Sequence, residues 1–173
     1  MADRVKFKDL SPDEQQDHRD RLRHSTAHVL AEVVTKLFPE AQLTIGPPIE
    51  DGFYYDFAAP EPFTPGALKK IELEMRDSIR ANTEFVEREV SRDEALKLVS
   101  GNPYKVEILE GIPADEQVTF CSHAGGTFED LCRGGHMERT GDIRAYKLLS
   151  SAGAYWRGDE NNTMLQRIYG TAW

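Results

Sequence analysis

The chain is poor in cysteine, has no basic excess and contains no long apolar run, and each absence removes a class of protein. Its two cysteines, Cys121 and Cys132, are too few for a disulfide framework and suit a reducing compartment. No apolar stretch approaches membrane-spanning length, and the N-terminal MADRVKFKDL has no apolar signal region, so a cytoplasmic protein with no membrane partner is expected. The formal net charge is −9, whereas nucleic-acid affinity comes from Lys and Arg. Contact with RNA is therefore expected only through a local patch or with help from another domain. Internal repeats, low-complexity tracts and a Gly-rich phosphate loop are also missing, and nothing alternates as a parallel βαβ series would.

What is present suits one soluble domain. The 173 residues are enough for a real core, and 39% hydrophobic with 29% charged residues excludes disorder. Residues 1–12 read as a loose lead-in. Ser11-Pro12 is a good helix start, because Ser caps well and Pro fits the first helical position. The helical pattern is clearest from Leu22 to Phe38, with Leu22, Thr26, Ala27, Leu30, Val33, Val34 and Leu37 on one apolar arc. QLTIGPP and GFYYDF read as strands joined by a turn, and a second helix is expected from Thr64-Pro65. EFVEREV reads as a strand. SRDEALKLV, opened by Ser91 and Glu94 in capping-box positions, reads as a short helix. YKVEIL alternates and reads as a strand after the Gly101-Asn102-Pro103 break, while VTFC and TFEDL form a hairpin. The expected class is α+β: an antiparallel sheet packed with a long helix and shorter helices.

Two short motifs carry candidate chemistry. HSTAH places His24 and His28 one helical turn apart, and CRGGH places Cys132 four residues before His136. His and Cys are the usual zinc ligands, so the four residues suit a joint site; an ordinary pair of surface histidines is the plainer reading. About the helix axis, His24 and His28 lie roughly 120° and 160° from Leu30, flanking the apolar arc instead of centring it. A rival compact zinc set is Cys121, His123, Cys132 and His136, all near the expected hairpin. Asp130, two residues before Cys132, would share its strand face, and Lys105 follows a Pro-Tyr turn. Gly134-Gly135 gives the backbone freedom to approach a ligand, and the two tryptophans of the final segment read as structural. The terminal RIYGTAW is unusually apolar for a chain end, so a domain of a longer protein is expected.

HSTAHVL, IGPPIEDGFYYDF, PYKVEIL, EDLCRGGH and GAYWRGDENNTMLQRIYGTAW occur in this order and together resemble bacterial-type threonyl-tRNA synthetases. The resemblance runs from about residue 20 to the end and falls on the amino-terminal editing domain of that family, which is similar to the alanyl-tRNA synthetase editing domain. It implies a lead-in over 1–20, an editing domain over 21–155, and a segment over 156–173 leading towards an aminoacylation domain. The implied activity is hydrolysis of seryl-tRNA(Thr), with the serine-bearing acceptor end of tRNA(Thr) and the remaining synthetase domains as partners. His24 then orients or deprotonates the attacking water, and Lys105 stabilises the oxyanion or the leaving ribose oxygen. His28, Tyr55, Asp130, Cys132 and His136 hold the seryl group. The resemblance implies ordered water and no required cofactor, whereas in the alanyl relatives a similar quartet holds zinc, which here would be His24, His28, Cys132 and His136. A zinc-dependent alanyl-type deacylase and a non-catalytic zinc-stabilised RNA-binding module are the alternatives. The family commonly has proline where Gly135 stands, so this chain departs from it just before His136.

Overall fold

The computed structural model describes residues 5–173, and its architecture is α+β with antiparallel pairing throughout its two sheets. The larger sheet orders β1 (Gln42–Leu43), β3 (Gly52–Ala58), β8 (Met164–Ala172) and β7 (Tyr146–Tyr155), with β2 (Pro48–Ile49) also pairing with β3. The smaller sheet orders β4 (Val86–Val90), β5 (Val118–His123) and β6 (Phe128–Leu131). Residues 164–172 thus lie in the middle of the larger sheet, between β3 and β7.

Capping chemistry starts three of the helices where the sequence marks them. The long helix α1 (Pro12–Leu37) opens on a full capping box, the Ser11 hydroxyl accepting from the Glu14 N–H while the Glu14 carboxylate accepts from the Ser11 N–H. Thr64 caps α2 (Pro65–Arg80), with Pro65 at its start, and Ser91 caps α3 (Arg92–Val99) by accepting from the Glu94 N–H.

The YKVEIL segment departs from its expected strand. It lies in a fourth helix, α4 (Pro103–Glu110). The Asn102 side chain accepts from the Tyr104 and Lys105 N–H groups, and Pro103 takes the first helical position. The Asn-Pro pair that reads as a breaker is therefore a helix start. Six residues of alternation are too short to separate a strand from two turns of helix.

Two cores result. Leu30, Val33 and Val34 of α1 pack with Phe53 and Phe57 of β3, Ile71 and Met75 of α2, and Ile168 of β8. A smaller core joins Ala95 and Val99 of α3, Leu109 of α4, Val118 and Phe120 of β5, and Leu131 of β6. Each fully buried large apolar side chain contributes about 1.5–3 kcal/mol. Helix α1 is buried on more than one side between Leu22 and Val34, because sheet and α2 cover its apolar arc while Phe128 of β6 and the loop after it meet its histidines. The two tryptophans differ. Trp156 is buried and its Nε1–H donates to Glu107, whereas Trp173 is exposed and lies over the Arg23 guanidinium.

Candidate functional site

The sequence motifs converge at the seam between the two cores. His24 and His28 come from α1, Tyr55 from the middle of β3, Lys105 from the first turn of α4, and Asp130 from β6. Cys132 and His136 follow β6 on a loop. A cleft of about 510 Å³ opens there, lined by His24, His28, Tyr55, Lys105, Asp130 and Cys132. Thr44–Pro48 and Arg133–Gly135 form parts of its walls. His136 stands behind His24, its ring stacked on the His24 ring at 4.1 Å between centroids.

Each wall has a local reason. The Cys132 backbone is tied to β5 on both sides: its N–H donates to the Thr119 carbonyl at 3.2 Å, and its carbonyl accepts from the Thr119 hydroxyl at 2.5 Å. Beyond it, Gly134 and Gly135 take φ values of 85° and 83°, a region costly for other residues. The Gly135 N–H donates to the Glu87 carboxylate at 2.9 Å, a bond that proline could not make, and the Gly135 carbonyl accepts from His24 Nδ1 at 3.3 Å. The loop that presents His136 is thus held from β4 and from α1.

At the floor, Lys105, Asp130 and Tyr55 form a buried three-way contact. The Lys105 ammonium lies 2.8 Å from Asp130 Oδ1 and donates to the Tyr55 hydroxyl oxygen at 3.3 Å, while the Tyr55 O–H donates to Asp130 Oδ2 at 2.6 Å. Burial, reinforced by the Asp130 carboxylate, holds the Tyr55 phenol well above its usual pKa, so it remains a donor. Lys105 is only 5% exposed, and it sits on a helix instead of the strand expected over YKVEIL. Gly46 lets the wall close over Tyr55, since a Cβ there would sit 2.1 Å from the tyrosine ring. Gly46→Ala is expected to cost about 1–3 kcal/mol of stability by overpacking. Urea unfolding checks this; a variant of unchanged stability would mean the 42–48 segment yields freely.

His24, His28 and His136 are held in the neutral form at pH 7. Burial lowers the pKa of His24, against an opposing pull from the Gly135 carbonyl. Burial, joined by neighbouring His136, lowers His28 well below its usual value, and burial with His24 and His123 nearby brings His136 down to about 3. This has a consequence for stability. An unfolded histidine takes up a proton near pH 6.5, before its folded counterpart does. Stability is then full above about pH 6.5 and falls as the pH drops from there towards the folded values, by up to about 1.4 kcal/mol per pH unit for each such group. Urea midpoints in chelator-containing buffer are expected to fall steeply between pH 6.5 and 4.5, less so in His136→Asn. Equal slopes in the two proteins would show that His136 protonates without cost.

The donor set also fits a metal. One ligand atom each from His24, His28, Cys132 and His136 lies within 4.8 Å of the others, and buried His28 Nδ1 has no hydrogen-bond partner. Three imidazoles and a thiol so spaced suit tetrahedral zinc in residue type and separation. The rival set near the hairpin does not gather. Buried His123 instead places Nε2 3.0 Å from the Glu32 carboxylate, and Cys121 is pressed against Cys132, whose sulfur together with burial pushes the Cys121 thiol above its usual pKa.

Several neighbours escape sequence reasoning. Ser25 is fully buried and lies 3.4 Å from His136 Nδ1, and Phe85 stacks on the other face of that ring. The Ser78 hydroxyl donates to Glu32, which also meets His123, tying α2, α1 and β5 together behind the site. Ser25 stands inside the HSTAH motif, but its serine gives no sign there of which way it faces. Among the described residues no helix is long and apolar enough to cross a membrane.

Residues 118–169, from β5 into β8, match the family described as the threonyl and alanyl tRNA synthetase second additional domain. The chain is 56% identical over 154 residues to the threonine–tRNA ligase of Coxiella burnetii, covering 88% of this chain and 23% of that protein. It is 53% identical over 163 residues to the threonine–tRNA ligase of Paraburkholderia phymatum, covering 93% of this chain and 25% of the relative. The chain thus spans about a quarter of the length of the curated relatives it matches. Residues 118–169 are thus similar to the second additional domain of threonyl and alanyl tRNA synthetases, and most of the chain is similar to threonine–tRNA ligases.

Proposed function

We propose that the chain is the editing part of a threonyl-tRNA synthetase and hydrolyses the ester of seryl-tRNA(Thr). The observation that carries this reading is one cleft in which an unprotonated histidine, His24, and a buried ammonium, Lys105, line the same space. The chemical need is plain. Serine lacks one methyl of threonine, and a difference of that size supports only about 10–200-fold discrimination by binding, so a second site must remove the error.

His24 uses its Nδ1–H on the Gly135 carbonyl, which leaves the Nε2 lone pair to take a proton from water. Lys105, held by Asp130 and Tyr55, supplies positive charge where the oxyanion or the leaving ribose oxygen develops. His28, Tyr55, Asp130, Cys132 and His136 shape the seryl pocket. No covalent intermediate is needed, because an aminoacyl ester is already activated. The partners are the acceptor end of tRNA(Thr) carrying serine and the other domains of the synthetase. The gathered quartet favours a second reading, a zinc-dependent hydrolase: zinc held by His24, His28, Cys132 and His136 would acidify a bound water.

The test is deacylation of Ser-tRNA(Thr) and Thr-tRNA(Thr) side by side, with and without chelator. Preferential loss of the seryl ester, unaffected by chelator, is expected. Equal hydrolysis of both esters overturns the specificity, no hydrolysis of either overturns the enzyme, and loss restored by zinc transfers the reading to the metal site.

A further inference from the structure

We propose that Ser25 is a positioning residue: its hydroxyl fixes His136 in the tautomer that carries the proton on Nε2, which makes His136 a donor within the site and disfavours it as a metal ligand. This rests on the catalytic reading above only for its consequence in turnover; the tautomer itself is read from hydrogen bonds.

The argument is an accounting of one buried hydroxyl. Ser25 is fully buried on α1, and its Oγ accepts from the Met137 N–H at 2.8 Å. The hydroxyl hydrogen must then find an acceptor, since a buried O–H without one is costly. Among the described residues its one acceptor is His136 Nδ1, 3.4 Å away. Nδ1 therefore presents its lone pair to Ser25, and in a neutral ring the proton sits on Nε2. Nε2 lies 3.4 Å from Cys132 Sγ, where an N–H has a sulfur to meet. The opposite tautomer would place two donors, Met137 N–H and His136 Nδ1–H, on the Ser25 oxygen and leave the hydroxyl hydrogen with no partner.

The stacked neighbour is set the other way. His24 Nδ1 faces a carbonyl, which only accepts, so His24 carries its proton on Nδ1 and keeps Nε2 free. Two adjacent neutral imidazoles thus have opposite tautomers and different duties, His24 an acceptor for a water proton and His136 a donor. Zinc would require the Nε2 lone pair of His136 next to Cys132 Sγ. Binding it there would force the proton onto Nδ1 and strand the Ser25 hydroxyl. Partners of this kind shift metal affinity by about 10–100-fold, usually in favour of the metal; here the sign is reversed.

The experiment uses the 15N-labelled chain, in chelator-treated buffer at pH 7, with imidazole nitrogen shifts read for His136 and zinc affinity measured for the same samples. The wild type is expected to show a protonated Nε2 and a bare Nδ1. Ser25→Ala should shift the ring towards the other tautomer and raise zinc affinity about tenfold or more, while Ser25→Thr, which keeps the hydroxyl, should match the wild type in both. A wild-type His136 protonated on Nδ1 overturns the proposal. So does a folded Ser25→Ala with unchanged tautomer and unchanged zinc affinity. If the alanine variant does not fold, the wild-type and threonine spectra still decide, because each reports the tautomer directly. Seryl-ester hydrolysis is measured on the same preparations: an inactive wild type with Nε2 protonated refutes the catalytic reading and leaves the Ser25 assignment standing.

Discussion

On the proposed function, His24→Ala is expected to lower hydrolysis of seryl-tRNA(Thr) by about 10²–10⁴-fold, the usual cost of removing an acid–base group, while the domain stays folded. Both halves of the expectation come from where the ring sits. Its Nδ1–H is engaged by the Gly135 carbonyl and the residue lines the cleft, so the variant loses the Nε2 lone pair assigned to take a proton from water. The ring contributes little to the core. It is half-buried and absent from the cluster of Leu30, Val33, Phe53 and Ile168, and its packing is with other histidines of the site. Circular dichroism and a urea midpoint close to wild type, together with the loss in single-turnover rate, would meet the expectation. A folded variant that turns over at the wild-type rate would remove His24 from the mechanism. His24→Asn separates hydrogen bonding from proton transfer: it can reach the Gly135 carbonyl but cannot act as a base near neutral pH, and it should be as slow as alanine.

How far the sequence discloses this arrangement depends on the range of the forces involved. Helix starts at Ser11, Thr64 and Ser91 are legible because a cap is a contact between residues three apart. The same local chemistry at Asn102-Pro103 is present but is outvoted by a short alternating stretch, so α4 reads as a strand. The long strands β7 and β8 carry weak patterns for another reason. β7 is an edge strand with a register shift between Leu148 and Ser150, mostly exposed, and its Ser-Ser-Ala-Gly run has neither strong β-propensity nor clean alternation. Spacing along the chain raises the idea of a joint His/Cys site, but not its choice of partners: Cys132 and His136 belong to both candidate sets, and spacing does not say whether His24 and His28 or Cys121 and His123 join them. Tertiary packing makes that choice, by placing α1 against the loop after β6 and turning His123 towards Glu32. Ser25 lies beyond sequence reasoning altogether, since its role depends on an oxygen–nitrogen distance across 111 residues.

Lys105→Ala is expected to cost about 3–5 kcal/mol of stability, a loss large enough to obscure its effect on turnover. The ammonium and the Asp130 carboxylate are 2.8 Å apart, and both residues are at most 5% exposed. Removing the lysine leaves a buried carboxylate with only the Tyr55 O–H against it. A slow Lys105→Ala enzyme would therefore say nothing about catalysis by itself. The double variant Lys105→Met, Asp130→Asn separates the two effects. Methionine fills the lysine stem's volume, the asparagine oxygen still accepts from Tyr55, and no unpaired charge remains; replacing both members of a buried pair is often neutral or better. Its urea midpoint should return most of the way to wild type. Hydrolysis should not return with it, because the positive charge facing the cleft is gone, and losing one such stabiliser costs about 10²–10³ in rate. If rate and stability recover together, Lys105 serves only to neutralise Asp130 and the oxyanion must be met by other groups. If stability recovers and the rate at saturating Ser-tRNA(Thr) stays low, the charge acts in the transition state, since a lysine that only gripped a phosphate would raise the half-saturating concentration and spare the rate at saturation.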